Sequence, residues 1–384
     1  MTSRNVLITA GPVYGPLDDN KVVSNRARGI WALHLAEFLM ELGNKVTLLV
    51  PDLPLGGTVS KHKNLTLMQH TGFEDYQQKC LGLALTHDAA LMTAAVVNWI
   101  PAEPVIGKMA TKGYKEGSVI DVPFYLAPRV INRMRKSNPK LTLVGCKMLS
   151  GSSRDHLVEE AYHGVLLAAG CNAVVANDLQ DLRTKLLVYP DKTVFEFRQE
   201  KTKPSFAPDF LHLYQHISDL IQDTFYRTQW TCLTIFETSP LVDQVMDKYR
   251  DRFSPRGDGS VFGSLFVPDR NPPRGGWCSP REKKSSFGSF DAPYIRSVEG
   301  TLVRVVGPNK ATLNAPLLRR VSERYPDASA ILHLHEQLPG VPTLPYAPPG
   351  TVRDNDREFS TPCFNIQGHG FVACLDESLN IIKG

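Results

Sequence analysis

The feature that most constrains the fold is an apolar run that stops at a tight turn. The run extends from Asn5 to Ala10 and ends at Gly11-Pro12, which is typical of a strand followed by a loop. Apolar residues then recur at helical spacing from Ile30 to Leu42, and a second apolar run covers Lys45 to Val50. This order of strand, helix and strand predicts a βαβ unit with parallel strands.

The same alternation continues, which predicts an α/β fold whose N-terminal part is a Rossmann-like, doubly wound parallel sheet. Further strands are expected at 89–97, 141–146 and 171–177, helices at 155–169 and 210–225, and an edge hairpin at 186–189 and 194–197. After a Gly-, Pro- and Ser-rich stretch, strands are expected at 301–306 and 330–335, with a helix at 311–324 between them and a last strand after 368–370. A chain of 384 residues exceeds one typical core, so we expect domains at 1–225 and 226–384.

Composition narrows the class of partner and the compartment. The net charge of +4 includes no run of Lys or Arg, which argues against nucleic acid and leaves a phosphorylated small molecule open. Seven scattered cysteines without a C-x-x-C pair indicate reduced thiols and no zinc-thiolate site. The longest apolar stretch, 164–176, is too short for a membrane span, and a strand beginning by Val6 leaves no room for a signal peptide. We therefore expect a cytoplasmic protein that binds no membrane.

The loop after the first strand is the predicted ligand site. In an open α/β sheet, ligands bind beyond the carboxyl ends of the strands, where backbone amides and a helix N-terminus can hold phosphate. Asn25 and Gly29 stand where that helix should begin. The stretch 102–122 is rich in Gly, Pro and Lys between two strands, so it is expected to form a mobile flap.

Five motifs in this part stand in a recognisable order and spacing. They are Thr9-Ala10-Gly11-Pro12 with Pro16-Leu17-Asp18, Val23-Ser24-Asn25-Arg26, Ala94-Ala95-Val96, Lys108 and Ala176-Asn177-Asp178. Through them residues 4–205 resemble the phosphopantothenoylcysteine synthetase (phosphopantothenate-cysteine ligase) family. The resemblance implies that a carboxylate is activated as an acyl-nucleotide, with CTP or ATP and Mg²⁺, and is then coupled to cysteine or another amine. It also implies small-molecule substrates only (nucleotide, phosphorylated carboxylate and amine) and a homo-oligomer, a dimer or higher.

The same resemblance assigns roles to individual residues. Lys108 on the flap and Asn25 would be catalytic, because a cation can follow the leaving pyrophosphate and an amide can hold the acyl-nucleotide. The implied nucleotide- and substrate-binding residues are Gly11, Pro12, Asp18, Ser24, Arg26, Gly29, Ala94, Ala95, Asn98, Lys147 and Asn177. Asn98 replaces an acid of the family pattern, and Cys146-Lys147-Met148-Leu149-Ser150 lacks another. The nucleotide and the parental reaction therefore stay open.

Three histidines form a second candidate site. His333 and His335 are two residues apart in a predicted strand and so face the same way, and His369 precedes a later strand. Together with Tyr325-Pro326-Asp327-Ala328, Tyr346, Pro349-Gly350-Thr351 and Gly368-His369-Gly370, they resemble a shortened class II aldolase/adducin domain. The resemblance implies Zn²⁺ or another divalent metal as Lewis acid.

The acid/base group of that second pattern is missing. Asn314 stands at the glutamate position, and Arg353 stands at the second acid position. Glu336 could substitute only if the backbone turned it inward. Two alternatives to the ligase therefore stay open: a metal-dependent lyase or dehydratase, and a non-catalytic nucleotide-binding protein.

Overall fold

The computed structural model describes residues 2–199, 210–255, 259–271 and 275–383. The chain divides into two compact units, Met1–Gln222 and Asp223–Gly384. Across the ranges described, no helix has both the length and the apolar character that a membrane crossing requires.

The first unit alternates strands and helices along the chain. Its strands are β1 (Asn5–Thr9), β2 (Pro12–Val13), β3 (Gly15–Pro16), β4 (Val22–Val23), β5 (Lys45–Pro51), β6 (Leu65–His70), β7 (Ala89–Met92), β8 (Ala95–Val96), β9 (Trp99–Pro101), β10 (Phe124–Leu126), β11 (Thr142–Leu149), β12 (Ala173–Asp178), β13 (Asp181–Val188) and β14 (Val194–Arg198). Its helices are α1 (Ile30–Glu41), α2 (Phe73–Ala84), α3 (Val130–Ser137), α4 (Arg154–Ala161), which continues as a π-helical segment (Tyr162–Leu167), and α5 (Leu211–Gln222).

An eight-stranded sheet in the order β14-β13-β12-β11-β7-β1-β5-β6 organises this unit. β1 pairs in parallel with both β5 and β7, and β13 and β14 add an antiparallel hairpin at one edge. The chain moves outward from β1 to β5 and β6 and then returns to β7 and β11. Right-handed crossovers therefore place helices on both faces, and the order reverses between β1 and β7. The predicted α/β class and the edge hairpin are confirmed.

The strand expected at 89–97 is in fact two strands in different sheets. The Thr93 hydroxyl donates to the Thr9 carbonyl, and the Ala94 amide donates to the Thr9 hydroxyl at 3.1 Å. These bonds end β7 at Met92 and turn the chain outward. Ala95–Val96 then pairs in parallel with Pro12–Val13, directly above the carboxyl end of β1.

The second unit is built on a nine-stranded sheet in the order β15-β19-β18-β17-β16-β20-β23-β22-β21. Its strands are β15 (Arg227–Cys232), β16 (Ser264–Pro268), β17 (Gly276–Cys278), β18 (Tyr294–Glu299), β19 (Leu302–Gly307), β20 (Ala330–Leu334), β21 (Thr343–Leu344), β22 (Cys363–Ile366) and β23 (Gly370–Leu375). Its helices are α6 (Pro240–Tyr249), a 3-10 turn (Arg250–Arg252), α7 (Ala315–Arg324) and α8 (Val352–Asn355). The α/β class predicted for this part is also confirmed.

Two predicted boundaries in this unit were wrong by a few residues. β20 ends at Leu334, so His335 lies one residue past the strand rather than within it. The helix expected from residue 311 begins at Ala315, after Asn314 at its N-cap, and it carries a proline in its first turn. Proline suits that position because the amide hydrogen that it lacks would have no partner within the helix there.

Candidate functional site

Two glycines bring the loop after β1 against the N-terminus of α1. Gly11 and Gly29 both have left-handed backbones, with φ of 78° and 72°. A Cβ on Gly29 would lie 2.9 Å from the Gly11 nitrogen and 3.2 Å from its Cα. Only glycine permits this approach. It brings the loop backbone to a helix N-terminus, where partial positive charge favours phosphate or another anion.

The segment after β7 closes the other side of this loop. The Ala95 amide donates to the Gly11 carbonyl at 3.0 Å, and the Asn25 side-chain amide donates to the Ala95 carbonyl at 3.0 Å. Asn25 is therefore not the helix cap, since Gly29 occupies that position. The structure brings Gly11, Asn25, Gly29 and Ala95 together at the point where the strand order reverses.

The flap that carries Lys108 is fastened at its base to the turn between β3 and β4. One Asp18 oxygen accepts from the amides of Asn20 and Lys21 at 2.8 and 2.6 Å. The other accepts from the Lys21 ammonium and the Met109 amide, both at 2.9 Å. The Met109 amide and the Lys21 ammonium hold the pKa of Asp18 well below its usual range. Lys108 itself is exposed, and no ion pair engages its ammonium within the described residues.

The other predicted residues differ in how they are placed relative to this group. Lys147 pairs with Glu160 of α4 at 2.8 Å, so its charge is directed to that helix. Ser24, Arg26 and Asn98 are exposed. The remaining members are Pro12, whose strand pairs with β8, Ala94, which is half-buried after β7, and Asn177, which is buried at the end of β12.

A buried lysine was missed by the sequence reasoning. Lys185 on β13 is only 6% exposed, and its ammonium lies 5.3 Å from the Trp31 ring and 5.2 Å from the Phe210 ring. Burial lowers the pKa of Lys185 to about 8. The available signal was one lysine directly before the apolar run Leu186 to Tyr189.

The three histidines of the second unit converge as predicted. The ring centroids of His333 and His369 are 4.6 Å apart, and those of His335 and His369 are 4.5 Å apart. Their candidate ligand atoms all lie within 4.8 Å of one another. Burial, and then the charges of His369 and His335, hold the pKa of His333 well below its usual range. A neutral imidazole is the form that binds a metal.

The orientation of His333 fits a metal ligand. Its Nδ1 lies 2.8 Å from the Phe371 carbonyl, which requires the ring to donate its hydrogen there. The lone pair then falls on Nε2, a buried atom without a hydrogen-bond partner. A hydrogen bond from the other ring nitrogen to a carbonyl commonly fixes the tautomer of a ligating histidine.

Gly370 makes the convergence possible. Its φ is 145°, and an added Cβ would clash with the Leu334 carbonyl oxygen and lie 2.9 Å from the His335 Cα. The close approach of these two backbones places His369 beside the end of β20.

Each of the three residues considered for the acid/base role is engaged elsewhere. Asn314 is buried and donates to the Ser264 hydroxyl at 3.0 Å, and Ser264 pairs directly with His333 across the sheet. Glu336 is bound by the Arg252 guanidinium. Arg353 forms a two-pronged ion pair with Asp223, at 2.8 and 2.9 Å.

The sequence pattern of one protein family, the DNA/pantothenate metabolism flavoprotein C-terminal domain, matches residues 1–209, more than half of the chain. The chain belongs to this family. The predicted family resemblance of residues 4–205 is thereby confirmed. Among curated proteins, the coenzyme A biosynthesis bifunctional protein CoaBC of Thermococcus kodakarensis is 24% identical over 180 residues. The match covers 47% of this chain and 42% of that relative, so the chain spans less than half of its length.

Two solved structures illustrate the structural likenesses. The DNA/pantothenate metabolism flavoprotein from Streptococcus pneumoniae is 18% identical with a TM-score of 0.49, over 57% of this chain and 99% of that one. L-fuculose 1-phosphate aldolase is 18% identical with a TM-score of 0.27, over 36% of this chain and 77% of that one. At these identities and scores, neither likeness bears on activity.

Proposed function

We propose that this chain is a nucleotide-dependent ligase that activates a carboxylate and joins it to an amine. The observation that carries the proposal is the family match over residues 1–209. A family relative takes part in coenzyme A biosynthesis. The default substrates are therefore 4′-phosphopantothenate, cysteine, and CTP or ATP with Mg²⁺.

The reaction has two balanced steps. A carboxylate oxygen attacks the α-phosphorus of the nucleotide, and the bond to the β-phosphate oxygen breaks to release pyrophosphate. The amine then attacks the acyl carbon, loses a proton and displaces the nucleoside monophosphate. The first step needs donors and cations around a phosphorus that accumulates negative charge.

The first unit offers groups suited to this chemistry. The Gly11 loop and the N-terminus of α1 would hold phosphate oxygens, and the side chain of Asn25 lies at the same place through its bond to Ala95. Lys108 has an exposed ammonium on a flap that lacks regular structure between β9 and β10. In the proposal, that ammonium neutralises the leaving pyrophosphate.

The test is pyrophosphate release from CTP and from ATP, each with 4′-phosphopantothenate and Mg²⁺, with and without cysteine. Release from one nucleotide is the expected result. Lys108→Ala should lower the rate by about 10² or more, because a lost transition-state cation typically costs that much. Lys112→Ala, a second exposed flap lysine, is the matched control and should retain activity. Silence of folded wild-type protein with both nucleotides would refute the proposal.

We also propose that His333, His335 and His369 bind one divalent metal ion, Zn²⁺ by preference. The supporting observation is the convergence of three ligand atoms around a buried Nε2 that lacks a hydrogen-bond partner. Bound there, the metal would supply Lewis-acid polarisation of a carbonyl or phosphoryl oxygen. Asn314 cannot transfer protons at neutral pH, so we expect metal binding without efficient aldol cleavage.

Metal content separates this second proposal from the first. Purified protein should carry about one Zn²⁺ per chain, as one closely spaced three-histidine group predicts. The double variant His333→Ala/His335→Ala should lose it, whereas His156→Ala, which changes an exposed histidine of α4, should keep it. Native protein without stoichiometric metal, even after incubation with Zn²⁺, would refute the assignment.

A further inference from the structure

We propose that Asp18 and Asp19 are positioning residues that fix Lys108 over the ligase site by holding the backbone on either side of it. This inference rests on the proposed function, since it concerns the same site. It gives Asp18 a different role from the direct ligand contact that the family resemblance implies.

The geometry shows a clamp around a single residue. The Met109 amide, directly after Lys108, donates to Asp18 Oδ2 at 2.9 Å. The Gly107 amide, directly before it, donates to Asp19 Oδ2 at 3.0 Å. The Asp19 amide returns a bond to the Gly107 carbonyl at 3.1 Å. Lys108 therefore has its backbone fixed on both sides while its ammonium stays exposed.

A further bond aligns the start of the flap with the turn. The Val105 amide donates to the Leu17 carbonyl at 3.0 Å, and Val105 forms a parallel bridge with Asp18. Residues 105–109 thus run beside residues 17–19. The rest of the flap, from 110 to 121, has no comparable attachment to this turn among the bonds described.

Asp18 has no capacity left for a ligand. An ionised carboxylate offers about four acceptor sites. Asp18 uses four, for the amides of Asn20, Lys21 and Met109 and for the Lys21 ammonium, and its side chain is fully buried. The Lys21 ammonium also compensates its charge. A carboxylate in this state positions the flap without repelling a polyphosphate.

Two variants and one control isolate the clamp. Asp18→Ala removes the acceptor for Met109, and Asp19→Ala removes the side-chain acceptor for Gly107 at an exposed position that folding should tolerate. Asp121→Ala is the control, because it removes an exposed carboxylate of the same flap that takes no part in the described bonds between residues 105–109 and 17–19. Each variant is measured by amide hydrogen exchange at residues 105–110 and by pyrophosphate release under saturating nucleotide.

We expect exchange at Met109 in Asp18→Ala, and at Gly107 in Asp19→Ala, to accelerate by about tenfold or more. The kcat should fall by about tenfold or more, because displacing a catalytic group by about 1 Å can cost 10²-fold. The KM for nucleotide should change by less than about threefold, since ground-state binding is not removed. Asp121→Ala should stay within about twofold of wild type in both measurements, since surface substitutions away from such contacts have small effects.

Unchanged exchange in the two aspartate variants would overturn the clamp, and so would faster exchange with an unchanged kcat. Equal acceleration in Asp121→Ala would also overturn it, because the effect would then not depend on the two carboxylates that bond to the flap backbone. If wild type releases no pyrophosphate, the ligase proposal fails, and exchange still decides whether the two carboxylates hold the flap.

Discussion

Replacing Gly29 by alanine should lower the free energy of unfolding of the first unit by more than its left-handed backbone alone would explain. Two terms add at this position. A left-handed backbone, with φ of 72°, costs a residue with a Cβ about 1–2 kcal/mol. The new Cβ would also lie 2.9 Å from the Gly11 nitrogen, and backbone atoms cannot rotate away. Overpacking of this kind costs about 1–3 kcal/mol, so the total is about 2–5 kcal/mol.

Gly43 supplies the matched control at the other end of the same helix. Its φ is 86°, and an added Cβ there would meet no atom of the described residues within 4 Å. Gly43→Ala should therefore show only the cost of placing a Cβ on a left-handed backbone, about 1–2 kcal/mol. The difference between the two variants measures the contact between Gly29 and Gly11.

Thermal unfolding of the full chain, followed by calorimetry, reads this difference. For a unit of this size, 1 kcal/mol lowers the midpoint by about 2–4 °C, so Gly29→Ala should melt several degrees below Gly43→Ala. Pyrophosphate release should fall in Gly29→Ala and persist in Gly43→Ala. Equal midpoints for the two variants would refute the close-approach argument.

Three further changes have defined outcomes. Lys185→Met should raise the free energy of unfolding at pH 7 by about 1–3 kcal/mol, because burial lowers the pKa of Lys185 to about 8. The free energy of unfolding of the wild type should rise by the same amount between about pH 8 and pH 10.4. If urea unfolding gives the same difference between wild type and Lys185→Met at pH 7 and at pH 10, this expectation is wrong. Gly370→Ala should push β23 away from β20 and abolish Zn²⁺ retention in a metal assay. Full retention of Zn²⁺ would contradict the packing argument. Thr9→Val should cost about 1–3 kcal/mol by leaving the Ala94 amide unpaired, with Thr9→Ser as a near-neutral control in the same unfolding measurement.

The hydrophobic pattern predicted the parts of the fold in which one element buries one clear face. β1, α1 and β5 lie close to their predicted bounds because their apolar residues are buried in regular sequence order. β6 and α2 were missed. β6 is an edge strand in which half of the residues are exposed, and α2 carries many polar residues, so neither has a strong periodic signal.

Some contacts of the candidate sites could likewise be predicted from the sequence, and others could not. The family resemblance implied one binding site that includes Gly11, Gly29 and Ala95, and the structure brings these three residues together. The bond between Asp18 and Met109 joins residues 91 positions apart, and no local pattern encodes it. Burial of Lys185 likewise depends on side chains from two helical regions that are distant in sequence. Such contacts become visible only when the chain is folded.

The attachment of the flap has a consequence for how this protein can change in evolution. β9 and β10 pair antiparallel at the two ends of the flap, and the Asp18 and Asp19 bonds secure residues 105–109. Insertions between 110 and 121 would therefore leave both the sheet and the lysine in place. Doubling a loop adds only about 0.6 kcal/mol of closure entropy. This segment is where the chain can acquire new sequence at little cost in stability, and where a library of flap variants is best placed.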